Sequence, residues 1–343
     1  MRNDRHRQSG FTIIEVMIAM TLGLFIVAAL SSVFVYSSRN YAQDERVSRV
    51  TDEMRFAMAQ LTTDLEMAGY WAQKHNPASI DIDDNLDDRG DCGAAGTDWV
   101  FEDRTPLQLL DDATGSTANA MFSCIAAGDV MPNTDILAIK RVDGIESRIE
   151  GTASDDFEGR SENRVYFRTN GVEALLYKAV SDGATPPGFV EPTVAPGVPT
   201  PYNEWQYEPV IYFIRNWTIN NGDGLPSLCR KELRGGNPPG FQTQCLASGV
   251  ESLQFEFGLD PDGDDSVDYY TAAPTVAQLA QAISARVLVL AGATEEDPHY
   301  TNRKTYLLSN EGAYTPNDGY YRKLLTATVR LHSPASLRQL SGN

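Results

Sequence analysis

One carboxylate stands alone in the most apolar stretch of the sequence. Glu15 is the only charged residue from Phe11 to Val35. An ionisable side chain inside a membrane segment costs several kcal/mol, so it marks a function and needs a partner. A chain cut after Gly10 would begin at Phe11 with a cationic α-amine of pKa about 8. That amine could neutralise Glu15 of a neighbouring helix, which predicts an assembly contact; the alternative is that Glu15 reaches lipid head groups at the segment's edge.

A second candidate for chemistry is the acidic loop, defined here as Asp260–Asp268. Carboxylates at relative positions 1, 3, 5 and 9 can surround a hard cation such as Ca²⁺, and here they belong to Asp260, Asp262, Asp264 and Asp268. The match to a calcium loop is incomplete, because position 6 is Asp265 instead of glycine and position 12 is Thr271 instead of glutamate. The alternative is an acidic turn around Asp262 that needs no ion.

The cysteines form the third set of residues with chemistry. There are four, without metal-like spacing: Cys92, Cys124, Cys229 and Cys245. In an exported protein an even number predicts up to two disulfides. Loop size favours the neighbouring pairs Cys92–Cys124 and Cys229–Cys245, but four cysteines allow three pairings and the sequence does not choose among them.

Composition limits the classes of function. The 343 residues carry a net charge of −19, which argues against nucleic acid as a partner, since nucleic-acid-binding proteins present a basic face. The four histidines are scattered, and neither a Gly-rich phosphate loop nor a Gly-x-Ser-x-Gly motif occurs. We therefore do not expect an enzyme, although a membrane-anchored periplasmic hydrolase is an alternative of another class.

The residue at position 15 lies at the start of a predicted membrane span. From Val16 to Val35 the chain is almost wholly apolar, and twenty residues at a rise of 1.5 Å cross the roughly 30 Å hydrocarbon core of a bilayer. We place the span at residues 11–36. Arginines occur on both sides of it, so charge alone does not set its orientation.

The same helix is predicted to continue beyond the membrane in amphipathic form. Apolar residues recur at spacings of three and four along Val47, Val50, Met54, Met58, Leu61, Leu65 and Ala68. Charged residues including Asp64 fall on the other faces, and Gly69 provides a helix stop. The sequence thus predicts a helical segment over residues 11–70 whose second half packs one face on a globular domain, residues 71–343.

The rest of the chain predicts an α+β fold with an antiparallel sheet, because one long helix precedes many short strands. Residues 72–133 lack a periodic pattern and are predicted to be irregular. Strands are predicted at Asp135–Val142, Arg164–Arg168, Glu173–Val180, Pro209–Thr218, Leu228–Leu233, Glu251–Leu259, Ala285–Ala291, Lys304–Leu308 and Leu324–Leu331, with a short helix at Val276–Ile283.

The N-terminal residues resemble a known signal. An arginine-rich head, then Gly10-Phe11-Thr12-Ile13-Ile14-Glu15, then the apolar run, is similar to the class III signal of type IV pilins and pseudopilins. The resemblance implies a leader, residues 1–10, that a prepilin peptidase removes between Gly10 and Phe11. It also implies methylation of Phe11 and an assembly role for Glu15. An ordinary signal peptide is the competing interpretation. It requires a small-x-small cleavage site beyond the apolar run, and the small residues from Ala28-Ala29 through Ser31-Ser32 keep it open.

The last third of the chain narrows the resemblance. The segments Ile283–Leu290 and Tyr320–Leu331, placed after the acidic loop, resemble the PilW-type minor pilins. Membership implies a pilin-like fold and a subunit that helps initiate and cap the type IV pilus in a tip complex. Its partners would be other minor pilins, the major pilin and a large tip adhesin. It would sit in the inner membrane with a cytoplasmic N-terminus before assembly and become extracellular in the pilus. The alternatives are a J-type pseudopilin of type II secretion and a membrane-anchored calcium-binding adhesin.

Overall fold

The computed structural model describes residues 11–72, 80–83, 86, 92–94, 99–101, 105–148, 164–171, 173–178, 193–195, 198–199, 203–236 and 239–331. The predicted leader, including Gly10, lies outside these residues. By its internal contacts the chain divides into two units, one that ends at Arg49 and one that begins at Val50.

Three α-helices are present in the described residues: α1 (Ile13–Glu66), α2 (Gly115–Met121) and α3 (Val276–Leu279). Two 3₁₀ turns, Ala127–Asp129 and Ser309–Glu311, accompany them. Helix α1 agrees with the predicted helix to within a few residues at either end. It stops where expected, because Gly69 takes a left-handed φ of 71° and its N–H bonds to the carbonyl of Lys140 at 2.8 Å.

The amphipathic half of α1 packs on the globular unit as its pattern predicts. Met54, Met58, Leu61 and Leu65 are buried in a cluster of strand residues. Each fully buried side chain of this size contributes roughly 1.5–3 kcal/mol. Asp64 departs from the prediction, because it is buried and not on a solvent face.

Polar contacts fix the register of α1 on the sheet. The Asp64 carboxylate accepts hydrogen bonds from Arg141 Nε at 2.9 Å and from the hydroxyl of Tyr212, and Arg141 also pairs with Glu208 at 2.7 Å. About three turns earlier the Glu53 carboxylate accepts the N–H of Ser248 at 2.8 Å. A buried carboxylate needs such partners, so its contacts define one position of the helix.

Eighteen strands occur in the described residues. They are β1 (Asp81–Ile82), β2 (Leu107–Ala113), β3 (Thr134–Ile139), β4 (Val142–Arg148), β5 (Val165–Thr169), β6 (Ala174–Lys178), β7 (Thr193–Ala195), β8 (Val198–Pro199), β9 (Asn203–Tyr207), β10 (Val210–Arg215), β11 (Ser227–Arg234), β12 (Gly240–Ser248), β13 (Val250–Leu259), β14 (Tyr269–Thr271), β15 (Ala282–Gly292), β16 (Tyr306–Leu307), β17 (Ala313–Tyr314) and β18 (Arg322–Arg330).

The strands form three larger sheets and two small ribbons. The first sheet has the order β1-β6-β5-β9-β4, the second β12-β11-β10-β3-β2 and the third β14-β13-β15-β18. Strands β7 and β8, and β16 and β17, pair by themselves. Every pairing is antiparallel except that of β1 with β6. The α+β class with a long N-terminal helix is therefore confirmed.

Two hydrophobic cores hold these sheets together. The first contains the buried face of α1 together with residues of the second and third sheets. The second is rich in aromatic rings between the first and second sheets; Trp71 stacks on Tyr207 at 5.6 Å, and Trp99 meets Phe122 edge-on at 5.8 Å. Such rings bury large areas and favour these tilted or offset arrangements.

The prediction that residues 72–133 are irregular was wrong. They contain β1, β2 and α2, and they contribute buried side chains to the second core, among them Trp99, Phe101 and Phe122. The apolar residues are separated by Gly, Asp and Asn, so no periodic pattern shows in the sequence. Their burial arises from tertiary contacts with strands far along the chain.

Both expected cysteine pairs are joined in the structure. Cys92 bonds to Cys124 across 32 residues, and Cys229 to Cys245 across 16. The second pair lies on directly opposed positions of β11 and β12. The Cys92–Cys124 bond lies at the second core, of which Cys92 is a member.

Candidate functional site

The first candidate site is the N-terminal end of α1, where Thr12 and Glu15 form a reciprocal pair. The Glu15 Oε2 atom accepts hydrogen bonds from the Thr12 N–H at 3.0 Å and from the Thr12 hydroxyl at 2.9 Å. In return the Glu15 N–H donates to Thr12 Oγ1 at 3.3 Å. This is a capping box, which satisfies N–H groups that have no partner inside the helix.

Thr12 is a site residue that the sequence reasoning did not single out. The signal was present, because Thr followed three positions later by Glu, just before an apolar run, is the sequence signature of a capping box. Glu15 therefore has a partner within its own chain. Its side chain remains exposed at the end of the helix, where it is accessible to a cationic group of another chain.

The segment that follows Glu15 has no cover of its own. None of the described side chains from Phe11 to Arg49 is buried, and large apolar side chains such as Phe25 and Phe34 are about three-quarters exposed (75% and 74%). Within the described residues, α1 is the one helix long and apolar enough to cross a membrane. A contiguous apolar surface of this extent requires lipid or other helices around it.

The second candidate site is the acidic loop, which joins β13 to β14. Carboxylate oxygens of Asp260, Asp262 and Asp268 lie within 4.8 Å of one another. Asp264, the fourth predicted ligand, is not part of this group, and its Oδ1 accepts the N–H of Ser266 at 2.8 Å. The structure thus brings together three of the four predicted carboxylates.

Asp260 shapes the loop from the inside. Its side chain is fully buried and accepts the N–H groups of Gly263 at 2.7 Å, Asp264 at 3.1 Å and Asp265 at 3.2 Å. Asp265 adopts a left-handed φ of 65°, a conformation that short polar side chains tolerate and that calcium loops place at their sixth position. The backbone curls around one carboxylate and carries two others on its exposed side.

Mutual repulsion is visible in the electrostatics of the loop. The backbone N–H of Asp264 lowers the pKa of Asp262, but the negative charges of Asp264 and Asp268 raise it, and the net direction is upward. Like charges disfavour the ionised form of a carboxyl group. A divalent cation at this position would reverse that effect, since oxygen ligands of this type suit Ca²⁺.

Two family models match parts of the chain. Residues 211–333 match the family model "Type IV Pilus-assembly protein W", and residues 5–31 match the "Prokaryotic N-terminal methylation motif". No curated protein matches the chain. Among solved structures the chain is similar to a type IV-like pilin from Thermus thermophilus, with 12% sequence identity and a TM-score of 0.35, over 83% of this chain and 97% of that one.

Proposed function

We propose that the chain, which matches the type IV pilus-assembly model over residues 211–333 and the N-terminal methylation motif over residues 5–31, is a PilW-type minor pilin that helps to initiate and cap the type IV pilus as part of a tip complex. The observation that carries the proposal is the uncovered apolar half of α1 behind the Gly10-Phe11 junction. A helix that needs lipid or other helices around it suits a subunit that leaves a membrane for an assembly, whereas a soluble function would not need it. Other minor pilins, the major pilin and a large tip adhesin are the partners we propose.

We propose three parts in the precursor. Residues 1–10 are a leader that a prepilin peptidase removes, which leaves methylated Phe11 at the N-terminus. Residues 11–70 form the helical segment, of which residues 11–36 cross the inner membrane with the N-terminus in the cytoplasm. Residues 71–343 form the globular domain on the periplasmic side, which becomes extracellular in the pilus. The apolar segment and the N-terminal methylation motif fit inner-membrane anchoring.

We propose that Glu15 serves assembly through its charge and helix initiation through its cap. The capping bonds hold the carboxylate at the first turn of α1. The α-amine at Phe11 of an adjacent subunit would then be drawn to it, since an ion pair between apolar helices is strongly favoured over either charge alone. Such a contact between subunits would select one relative position of two helices.

We further propose that the acidic loop binds one Ca²⁺ through Asp260, Asp262 and Asp268. The support is the proximity of the three carboxylates and the raised pKa of Asp262. Affinity is expected in the weak extracellular range of about 10⁻⁴ to 10⁻³ M, because the bidentate glutamate of tighter loops is missing. Asp264, which the sequence also suggested, is a ligand only if its carboxylate leaves Ser266.

Deletion of the chain's gene, followed by complementation, tests the pilus function. We expect the deletion to abolish or strongly reduce surface pili and to leave type II secretion intact, and we expect the unmutated gene to restore the pili. Loss of secretion with normal pili would instead identify the J-type pseudopilin. Normal pili and normal secretion, together with loss of calcium-dependent attachment, would identify the anchored adhesin.

A further inference from the structure

Strand β18 forms an edge of the third sheet. It pairs along its whole length with β15, and within the described residues no strand lies on its other side. An edge strand presents a row of backbone N–H and C=O groups with which a strand of another chain can pair. Strand β18 has nine residues, whereas a typical strand has about five or six, so its open edge is a long one.

Two backbone hydrogen bonds show which residues of β18 face the open edge. At one end the Leu331 N–H donates to the carbonyl of Ile283 at 2.8 Å, and at the other the Ala293 N–H donates to that of Tyr321 at 2.8 Å. The register of β15 against β18 has no shift between them. Because successive residues of a strand alternate in the direction of their backbone groups, the odd-numbered residues from 321 to 331 point to β15. The even-numbered ones point to the open edge, and they are Arg322, Leu324, Thr326, Thr328 and Arg330.

One of these outward residues is covered and the others are not. The carbonyl of Arg322 accepts the hydroxyl of Tyr306 at 3.0 Å, which agrees with its outward direction. In the part of the chain that the structure describes, no hydrogen bond reaches the backbone groups of the other four, Leu324, Thr326, Thr328 and Arg330. Each of these four residues therefore offers one donor and one acceptor to a further strand.

The side chains of β18 also suit a further strand. On the face toward the first core, Leu325 and Ala327 are only partly buried, so a neighbouring strand would cover apolar surface that now lies at the edge of the sheet. On the other face, Thr326 and Thr328 are exposed, and threonine is among the residues that favour strands. Backbone pairing and apolar burial would therefore act together at this edge.

Charge determines what kind of strand fits. The exposed cations Lys323 and Arg330 lie near the two ends of β18, which contains no acid, in a chain with a net charge of −19. A second copy of β18 is disfavoured, because like charges directly opposite each other are destabilising. Pairing centred on Thr326 sets Arg330 against Arg322 in the antiparallel arrangement and against another Arg330 in the parallel one. An acidic residue near either end of the incoming strand would instead meet an opposite charge.

The open edge begins beside helix α1. The Lys323 Nζ atom donates to Thr51 Oγ1 at 3.4 Å, and Thr51 belongs to the amphipathic half of α1. A subunit that packs along this part of α1 would therefore meet Lys323 and the edge of the third sheet together.

We propose that β18 is the docking edge for an extended segment of a neighbouring subunit of the tip complex, which joins the third sheet as its next strand. The segment has an uncharged centre and acidic residues near its ends, opposite Lys323 and Arg330. In strand addition of this kind the backbone hydrogen bonds provide the affinity and the side chains the specificity. The inference rests on the proposed role in a tip complex, and it adds the place of one contact and the chemistry of the partner.

Amide hydrogen exchange at single-residue resolution tests the pairing. It compares the full chain in detergent with the assembly purified after co-expression with the other minor pilins of the same cell. In the chain alone, the inward amides of β18 should be protected, and the outward amides of Leu324, Thr326 and Thr328 should exchange rapidly. In the assembly the outward amides should gain at least about tenfold in protection. Rapid exchange of these amides in an assembly that does form would overturn the proposal.

Variants of the edge add a second measurement, the amount of minor pilins that co-purify. Thr326→Pro replaces an outward N–H by a ring carbon and leaves the bonds to β15 intact, a position at which edge strands accept proline. We expect normal processing and insertion but at least about a fivefold loss of co-purifying pilins, because one hydrogen bond is lost and the ring blocks the incoming strand. Thr326→Ala keeps the N–H and should behave like the unmutated chain.

A charge variant covers the case in which Thr326→Pro folds poorly, which thermal unfolding of the full chain in detergent would show. Arg330→Glu lies at the exposed end of the strand and should also reduce co-purification, whereas Arg330→Lys should not. Normal pili after deletion of the gene would contradict both the proposed function and the docking edge. Loss of pili on deletion, with normal pili and co-purification in Thr326→Pro and Arg330→Glu, would overturn the docking edge alone.

Discussion

Three acidic residues of α1 differ in role because they differ in exposure and in partner. Glu15 is exposed and caps the first turn through Thr12. Glu53 is half-buried and accepts from Ser248, while Asp64 is buried and bonds to Arg141 and Tyr212. The free energy of unfolding lost on removing a carboxylate rises with its burial, because the buried partner that remains has no counter-charge. Variants of the exposed Glu15 therefore test assembly, and variants of the buried Asp64 test stability.

Substitutions at the start of α1 separate the cap from the charge. Glu15→Gln keeps a capping side chain and loses the charge, Glu15→Ala loses both, and Thr12→Ala loses the cap but keeps the charge. If Glu15 pairs with the amine of a neighbouring subunit, we expect the Glu15→Gln and Glu15→Ala variants to be cleaved and inserted normally but to assemble few pili. Thr12→Ala should assemble nearly normally, because loss of a cap costs only about 1 kcal/mol.

The measurement is the number of pili per cell and the amount of partner pilins that co-purify, with the N-terminal mass as the control for processing. Assembly by Glu15→Gln at the normal level, combined with failure of Thr12→Ala, would show that the cap and not the charge is what assembly needs.

Asp64 is expected to matter for stability more than any exposed acid on the same helix. Asp64→Ala leaves Arg141 buried beside Glu208 alone, and loss of one member of a buried ion pair costs about 3–5 kcal/mol. Denaturant unfolding of the full chain in detergent measures the change. Asp52→Ala is the matched control, exposed on the same helix, and should lie within about 0.5 kcal/mol of the unmutated chain. Equal effects of the two variants would mean that the Asp64 contacts do not stabilise the helix on the sheet.

At the scale of elements, the acidic loop depends on the strands that hold its two ends. The Asp260 N–H bonds to the carbonyl of Gln281 at 3.1 Å, and the Asp268 N–H bonds to that of Leu259 at 2.9 Å. These bonds set the first and last carboxylates opposite each other before any ion arrives. A preformed loop loses less conformational entropy on binding than a flexible one.

Calcium should stabilise the chain through this loop. At about 10 mM Ca²⁺ and a Kd of about 10⁻⁴ to 10⁻³ M, binding adds about 1.4–2.7 kcal/mol to the free energy of unfolding. The double variant Asp262→Asn, Asp268→Asn should lose this gain, whereas Asp264→Asn should keep it, because Asp264 lies outside the three-carboxylate group. Thermal unfolding of the full chain with calcium or chelator provides the measurement. An unchanged melting temperature in the unmutated chain would leave only an acidic turn held together by Asp260.

The two disulfides should differ modestly in what they contribute. In the chain-entropy model the 16-residue loop of Cys229–Cys245 and the 32-residue loop of Cys92–Cys124 correspond to about 3 and about 4 kcal/mol. We expect the double alanine variant at Cys92 and Cys124 to be the less stable of the two. Non-reducing peptide mapping of the exported protein checks the pairing, and four free thiols would contradict it.

At the scale of the whole molecule, charge and apolar surface are separated along the chain. No charged residue other than Glu15 occurs between Phe11 and Ser38, while the chain as a whole has a net charge of −19. An acidic globular part stays soluble and avoids anionic surfaces, and an apolar end inserts in lipid or between helices. This division suits a subunit that passes from a membrane into a filament.

Processing is the whole-molecule property that most directly tests the proposal. We expect the mature protein to begin with methylated Phe11, because the Gly10-Phe11 junction immediately precedes the apolar segment. Mass spectrometry of the N-terminal peptide measures this, and replacement of Gly10 by a larger residue should leave the full-length precursor in the inner membrane. A mature N-terminus beyond residue 28 would point to ordinary signal-peptide cleavage instead.

Much of this protein follows from local sequence pattern. The apolar run, the stripe from Val50 to Ala68 and the stop at Gly69 depend on hydrophobic periodicity and on the backbone freedom of glycine, both of which are properties of neighbouring residues. The long helix and the strands with continuous apolar runs, such as β10 and β15, were predictable for that reason. The residues of the acidic loop could be found because all of its carboxylates lie within nine positions.

Tertiary structure alone decided the rest. Strands β2 and β9 contain several polar residues, and their strand conformation depends on the strands beside them. Strand β2 pairs with β3, and β9 pairs with β4 and β5. The burial of Asp64 required Arg141, which is 77 positions away. The buried Asp135 accepts the N–H groups of Asp112 and Phe255, which are 23 and 120 positions away. No local pattern encodes such contacts, because they depend on which distant segments the cores bring together, and there the free energy of packing outweighs local propensity.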